Sequence, residues 1–197
     1  MNNLKRKLSL TGKEQGNNYS DIHLTPVETA LDVIYTFKPE GKICEPCRGK
    51  DGSGGFWQTG IFTEWFEVDD GRNFFDNTEY YDWIITNPPY SILTQFLNLS
   101  LMYADNVVFA PVKVQKLFSK TMTYLPIYHN KGLKELIFIE CPPEPFPQTG
   151  FQYVYAHWQK GYSGSINVIR KMDDTKRKNK LNKHVAQNTA KEYTYVR

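Results

Sequence analysis

The stretch Asp82-Trp83-Ile84-Ile85-Thr86-Asn87-Pro88-Pro89-Tyr90 constrains this chain more than any other. Behind Asp82 its residues are apolar and β-branched, and they read as a short buried strand. Two prolines then end it. Neither can donate a backbone N–H, so no ladder continues through them. A residue that precedes proline is held extended, so Asn-Pro-Pro-Tyr projects past the strand's C-terminal end. In an open α/β sheet that is the edge at which ligands bind.

The same residues suit one chemistry. Asn87 offers a side-chain carbonyl oxygen, and rings fix the carbonyls of Pro88 and Pro89, that of Pro88 having no local N–H to pair with. Tyr90 supplies a flat π-face. An exocyclic amine could give its two hydrogens to the Asn87 oxygen and a proline carbonyl while its ring stacks on Tyr90. Such an amine is a poor nucleophile, because its lone pair is delocalised into the ring. Holding both hydrogens out of the plane localises the lone pair on nitrogen, which can then attack a methyl on a sulfonium in line. The site's task is positioning and charge complementarity, and no strong base is needed. A plain Pro-Pro loop after a core strand would use the same residues without chemistry. At this motif the chain resembles the amino-methyltransferases that use S-adenosylmethionine, whose signature is Asn/Asp-Pro-Pro-aromatic. That group includes adenine-N6 and cytosine-N4 DNA methyltransferases, RNA methyltransferases and the glutamine methyltransferases of release factors.

Upstream, Thr25-Pro26-Val27-Glu28 combines an N-cap threonine, a proline suited to the first helical position and a glutamate completing a capping box. It predicts a helix to about Phe37, with an N-terminus that suits a carboxylate. Ile43-Cys44-Glu45 reads as a short strand ending at Pro46, then a glycine-rich turn and a helix from about Ser53. Thr63 to Asp69 reads as a second strand. An acid at its C-terminal end is placed to accept from ribose hydroxyls, Glu67 first, with Glu64 and Asp69 as rivals. The resemblance implies that Thr25 and Pro26 contact the amino-acid end of the cofactor. It also implies that Glu45 and Gly49 belong to an Asp/Glu-Pro-x-x-Gly-x-Gly cofactor loop, Glu45 facing the amino group. Asn73-Phe74 stands in a slot that reads Asp-Phe in related enzymes, where the Asp holds the cofactor's adenine amine. Two features depart from that pattern. After Gly49 the next glycine is Gly52, one residue late, and Asn73 is a weaker acceptor than a carboxylate. Asp76 is the alternative acceptor, and Phe74 and Phe75 each fit either the adenine or the core.

Downstream, Ser91 is a candidate cap for a helix with Leu93, Phe96, Leu97 and Leu101 at helical spacing. Asn106 to Val112 is a buried strand, Lys113 to Tyr128 a helix plus a loop, Leu136 to Glu140 a strand, and Cys141 to Pro147 a rigid extended loop. Phe151 to Trp158 and Ser165 to Ile169 read as a last antiparallel pair joined across Gly161 to Gly164. The class is α/β. The layout matches the Rossmann-like seven-stranded S-adenosylmethionine-dependent methyltransferase fold, a mixed sheet with a C-terminal antiparallel hairpin. The resemblance spans roughly residues 20–170. Its nearest group is the small phage- and bacterium-type DNA methyltransferase-like proteins, which share the Glu-Pro-Cys loop, Ile-Ile-Thr-Asn-Pro-Pro-Tyr-Ser and the element from Pro147 to Gln152.

The 197 residues suffice for one domain with a proper core. Three cysteines suit a reducing cytoplasm, which the resemblance implies is that of a bacterial or phage-infected cell; Cys44 and Cys47 lack a second pair for zinc, the histidines fall at no ligand spacing, and no metal is expected. There is no apolar run of membrane length and no signal-peptide core. Charge is uneven: residues 1–20 carry net +3, residues 170–197 net +6, and the body between them net −6. A basic arm over 1–19 and a basic tail over 171–197, flanking a methyltransferase domain over 20–170, fit a polyanion partner, and solvated tails would have the same composition. The combined expectation is an S-adenosylmethionine-dependent enzyme acting on nucleic acid, most simply N6 of adenine in DNA, on a flipped or unstacked base. Sequence recognition supplied in trans by a partner is a further expectation. Cytosine N4, RNA and protein glutamine share the motif. A degenerate fold that binds nucleic acid or a partner subunit without turnover is the reading from a different class.

Overall fold

The computed structural model describes residues 23–171. Its elements are α1 (Val27–Phe37), β1 (Ile43–Glu45), α2 (Gly55–Gln58), β2 (Glu64–Trp65), β3 (Tyr81–Thr86), α3 (Leu93–Tyr103), β4 (Ala104–Lys113), α4 (Lys120–Tyr128), β5 (Lys131–Ile139), β6 (Tyr153–Lys160) and β7 (Asn167–Lys171). The strands make one seven-stranded sheet in the order β2-β1-β3-β4-β6-β5-β7. β1 pairs in parallel with β2 and β3, and β3 in parallel with β4, while β6 runs antiparallel to β4 and β5. From β1 the chain goes outward to β2 and then returns to the other side of β1 for β3. The crevice past the ends of β1 and β3 is therefore the point of reversal where such sheets admit a ligand.

Alternation along the central strands feeds a core on each side of the sheet. Ile84 packs with Leu93, Phe96 and Leu97 of α3 and with Val107, Phe109 and Trp158. Ile85 packs on the other side with Ala30 and Val33 of α1 and with Val108, Ile137 and Tyr155. This double burial explains why β3 and β4 read as near-continuous apolar runs.

The expected α/β mixed sheet is present, with three local corrections. The C-terminal antiparallel hairpin is β5–β6, and Ser165 to Ile169 does not pair with Phe151 to Trp158. Both edges of β6 are occupied, so β7 adds outside β5, parallel to it, with Leu136 opposite Val168. To reach that position the chain crosses the start of β5. Gly132 permits the crossing: a Cβ there would lie 2.2 Å from the Tyr162 carbonyl oxygen. The second strand is shorter than Thr63 to Asp69, because a tight turn at Val68–Asp70 follows Glu67, whose carboxylate accepts from the Asp69 N–H. Thr25 does not cap α1. Pro26 takes the N-cap position with an extended ψ of 147°, and Thr25 is drawn inward by the Gly55 N–H, which donates to its carbonyl at 3.0 Å. Nor does Ser91 stand at the head of α3: a short turn at Tyr90–Ile92 puts Ile92 there.

Residues 1–22 and 172–197, which include the expected arm and nearly all of the expected tail, lie outside the described residues. No helix among the described residues is long and apolar enough to cross a membrane.

The Thr25–Gly55 contact is tight enough to test. A Cβ on Gly55 would sit 2.2 Å from the Thr25 carbonyl oxygen and 2.8 Å from the Pro26 carbonyl carbon, both backbone atoms. Gly55→Ala should push the head of α1 off α2 and cost about 1–3 kcal/mol in chemical denaturation. Wild-type stability in this variant would show that the two segments part freely.

Candidate active site

Because β1 to β4 are parallel, Glu45, Trp65, Thr86 and Lys113 all end their strands on one edge of the sheet. Asn87-Pro88-Pro89-Tyr90 leaves β3 at that edge, with Pro88 buried and the other three half-buried. The Asn87 Nδ2 donates to the His23 carbonyl oxygen at 2.9 Å. That bond settles which way the amide faces: its NH2 is committed to the segment ahead of α1, and Oδ1 remains as an acceptor. The Pro89 carbonyl accepts from the Ile92 N–H at 3.3 Å, whereas no backbone N–H among the described residues is bonded to the Pro88 carbonyl. The two acceptors expected from the sequence, on adjacent residues, are thus uncommitted among the described residues. The Tyr90 ring packs against the core that holds Phe96.

Glu45 stands next to this motif across the sheet, since Cys44 pairs with Ile84. It is 1% exposed, and neither carboxylate oxygen has a hydrogen-bond partner among the described residues. Burial pushes its carboxyl well above the usual carboxylate range; the Thr86 hydroxyl and the Cys47 N–H lie near enough to ease this, without closing a well-formed bond. An acid left buried and unpaired is costly, and a cationic or N–H donor brought to it would relieve that cost. The Thr25 and Thr86 hydroxyls are also buried without a partner among the described residues. Gly49 turns the loop after β1 with φ +77°, where a Cβ would meet the Gly54 nitrogen and the Ser53 Oγ at 2.8 Å.

Past the end of β2, burial pushes the half-buried Glu67 carboxyl above the usual carboxylate range, and the Asp69 N–H, which donates to it at 3.3 Å, eases that rise. Its rival Glu64 is committed to Arg72 at 2.6 Å, and Asp69 is exposed. The Asn73 Oδ1 accepts from the Phe75 N–H at 3.0 Å, leaving one lone pair for anything else. Phe74 belongs to the core, 2% exposed and stacked on Phe96, while Phe75 is half-buried and Asp76 exposed.

Several contributors were not evident in the sequence. His23 acts through its backbone carbonyl, which no side-chain pattern reveals. Arg48 has its guanidinium 3.4 Å from the centroid of Trp65 and 5.6 Å from that of Trp57, and it is ion-paired with Asp70. Asp70 also accepts from the Asp51 N–H at 3.1 Å, in the turn that lengthens the glycine loop. The extra loop residue is therefore fastened to the turn after β2. Lys113 lies over the Tyr90 ring, its Nζ 4.9 Å from the centroid. A charged residue ending the strand next to the motif was the available signal.

No protein-family model matches the chain, and no curated protein matches it. Solved structures do. A protein from Listeria monocytogenes described as a class I S-adenosylmethionine-dependent methyltransferase superposes with a TM-score of 0.57 and 12% identity, over 84% of this chain and 71% of its own. A Pyrococcus horikoshii protein described as an RNA methyltransferase gives 0.48 and 14%, over 84% of this chain and 100% of its own. A Vibrio vulnificus protein described as a modification subunit of a type I restriction enzyme gives 0.47 and 14%, over 85% and 50%. At such identities the likeness is one of fold: this chain has the Rossmann-like fold of class I S-adenosylmethionine-dependent methyltransferases.

The burial of Glu45 has a pH signature. A carboxyl whose pKa rises on folding lends stability that is full below its unfolded pKa and is lost as pH climbs toward its folded one. Glu45→Gln, which copies the protonated form, should melt progressively higher than the wild type as pH goes from about 5 to about 8. A melting difference that stays constant across that range would mean the acid titrates as if exposed.

Proposed function

We propose that this chain transfers a methyl group from S-adenosylmethionine to the exocyclic amine of a nucleic-acid base, N6 of adenine in DNA being the first reading. The observation that carries it is the Asn87 amide, whose NH2 is held by the His23 carbonyl so that Oδ1 is left as an acceptor, followed in the chain by a Pro88 carbonyl to which no backbone N–H among the described residues is bonded and by Tyr90. The residues present also fit the cofactor. The unpaired Glu45 carboxyl suits its amino group, the buried Thr25 hydroxyl beside Pro26 its methionine end, Gly49 a close backbone approach, Glu67 the ribose and Asn73 the adenine amine.

The bound cofactor supplies an electrophilic methyl on a sulfonium. The chain supplies position. Asn87 Oδ1 and the Pro88 carbonyl accept the two amine hydrogens and draw the nitrogen lone pair out of conjugation. Tyr90 holds the ring plane, and the two proline rings fix the acceptors so that no reorganisation is needed as positive charge develops on the nitrogen. The surplus proton leaves to water.

Nucleic acid is favoured by where the chain enters and leaves the body. His23 touches Asn87. Lys171 is opposite Ile139, Ile139 opposite Tyr153, and Tyr153 opposite Lys113, so one row across the sheet carries the last residue of β7 to the edge that bears the motif. Both basic ends of the sequence therefore join the body at that edge, where phosphates would lie beside the reacting base. Recognition of a particular sequence falls to those ends or to a partner subunit. The second reading, a binding protein without turnover, is favoured by one observation, the partial commitment of Asn73 to Phe75.

Transfer of labelled methyl to duplex DNA, single-stranded DNA and RNA, followed by nucleoside analysis, should place label in N6-methyladenine. Label in N4-methylcytosine or in RNA would reassign the base. Cofactor binding by calorimetry without label would point to a protein substrate or an absent partner, and neither binding nor label to the non-enzymatic reading. Asn87→Ala should lower transfer by about 100-fold or more with cofactor affinity retained. Glu45→Gln should do the reverse, weakening cofactor binding by about 10-fold.

A further inference from the structure

We propose that Lys113 is a specificity-determining residue: its ammonium covers the Tyr90 ring in the free protein and passes to a phosphate when a base takes that place. The inference rests on the nucleic-acid reading above. Lys113 closes β4 at the motif edge, opposite Tyr153. Its Nζ lies 4.9 Å from the Tyr90 centroid and 4.4 Å from that of Phe151, which is 52% exposed just ahead of β6.

Three other lysines of the body are matched to acids. Lys42 pairs with Glu79, Lys160 with Asp105 and Lys171 with Asp32. Among the described residues Lys113 has no carboxylate partner and donates no hydrogen bond, and two π-faces are its company. Such a contact is readily exchanged. A cation and a stacked base cannot share one face of Tyr90, so uptake of a base displaces the ammonium. A nucleotide brings its own anion to receive it. A free nucleoside or an amide side chain brings none, and entry then leaves the cation without a partner. Lys116 and Lys120, both exposed, follow in the chain and extend the cationic edge along which a phosphodiester would run.

The test compares wild type, Lys113→Met and Lys113→Arg for two ligands, a short fluorescein-labelled single-stranded oligodeoxynucleotide followed by anisotropy over a salt series, and adenosine followed by NMR titration. Lys113→Met should bind the oligonucleotide about three- to ten-fold more weakly at low salt, with a log–log salt slope shallower by about 0.7. The same variant should bind adenosine about two- to five-fold more tightly. Lys113→Arg should stay near wild type for both. Opposite movements for the two ligands are what a general loss of structure cannot produce. Unchanged oligonucleotide binding in Lys113→Met, or weakened binding of both ligands, overturns the assignment of Lys113 while leaving the nucleic-acid reading intact. Wild-type protein that binds neither ligand brings down that reading and this inference together. Should Lys113→Met fail to fold, wild type with 13C-dimethylated lysines decides. The Lys113 signal should be shifted upfield by the rings in the free protein and return on adding the oligonucleotide; an ordinary position in the free protein overturns the proposal.

Discussion

Two adjacent prolines cannot take part in a β-ladder, and the working edge of this structure is arranged around the strand they end. Tyr81–Thr86 is buried on both faces, so its exit is the one place where polar backbone and side-chain groups can be presented without breaking the core. Asn87 is the first residue past that limit. Its NH2 is spent on the His23 carbonyl, which ties the segment ahead of α1 across the strand ends. Two residues on, the Thr25 carbonyl takes the Gly55 N–H. A short path of backbone and amide groups thus runs from the Asn-Pro-Pro-Tyr turn to the far end of the glycine loop.

Electrostatics along this edge is a matter of which charges are already matched. Arg48, the cation built into the glycine loop, is held by Asp70 and by the faces of two tryptophans, and Arg72 is held by Glu64. Glu45 is excluded from both pairings. It is the buried acid among the described residues whose oxygens lack a partner, and it sits at the reversal point of the sheet. Stability gains nothing from leaving such a group ionised and unpaired, and a donor brought to it would relieve that cost.

Much of this was legible from the chain alone, and what was not has physical causes. Asn87, Pro88, Pro89 and Glu45 could be placed because proline chemistry and strand length are local properties. β7 could not: whether a last strand turns back on β6 or crosses β5 depends on which edges are vacant, and the clue was Gly132, a glycine whose need is set by Tyr162 thirty residues later. Thr25 satisfies every local rule for a cap and is nevertheless pulled inward by a tertiary hydrogen bond. Phe74 and Phe75 were indistinguishable by type; both meet Phe96, the first stacked and the second edge-on, and burial assigns the first to the core. The Arg48–Trp65 stack joins the loop after β1 to the end of β2, a proximity created by the pairing of β1 with β2 and with no counterpart in spacing.

The row that links Lys113, Tyr153, Ile139 and Lys171, together with the His23–Asn87 bond, brings both ends of the folded body to the same rim. Anything joined ahead of His23 or beyond Lys171 is thereby an intramolecular neighbour of the Asn-Pro-Pro-Tyr turn. Its encounter with a molecule held there is governed by effective concentration, of order millimolar for a short tether, rather than by its own affinity. Even weak contacts made from such a position would add to the retention of a molecule held at the turn.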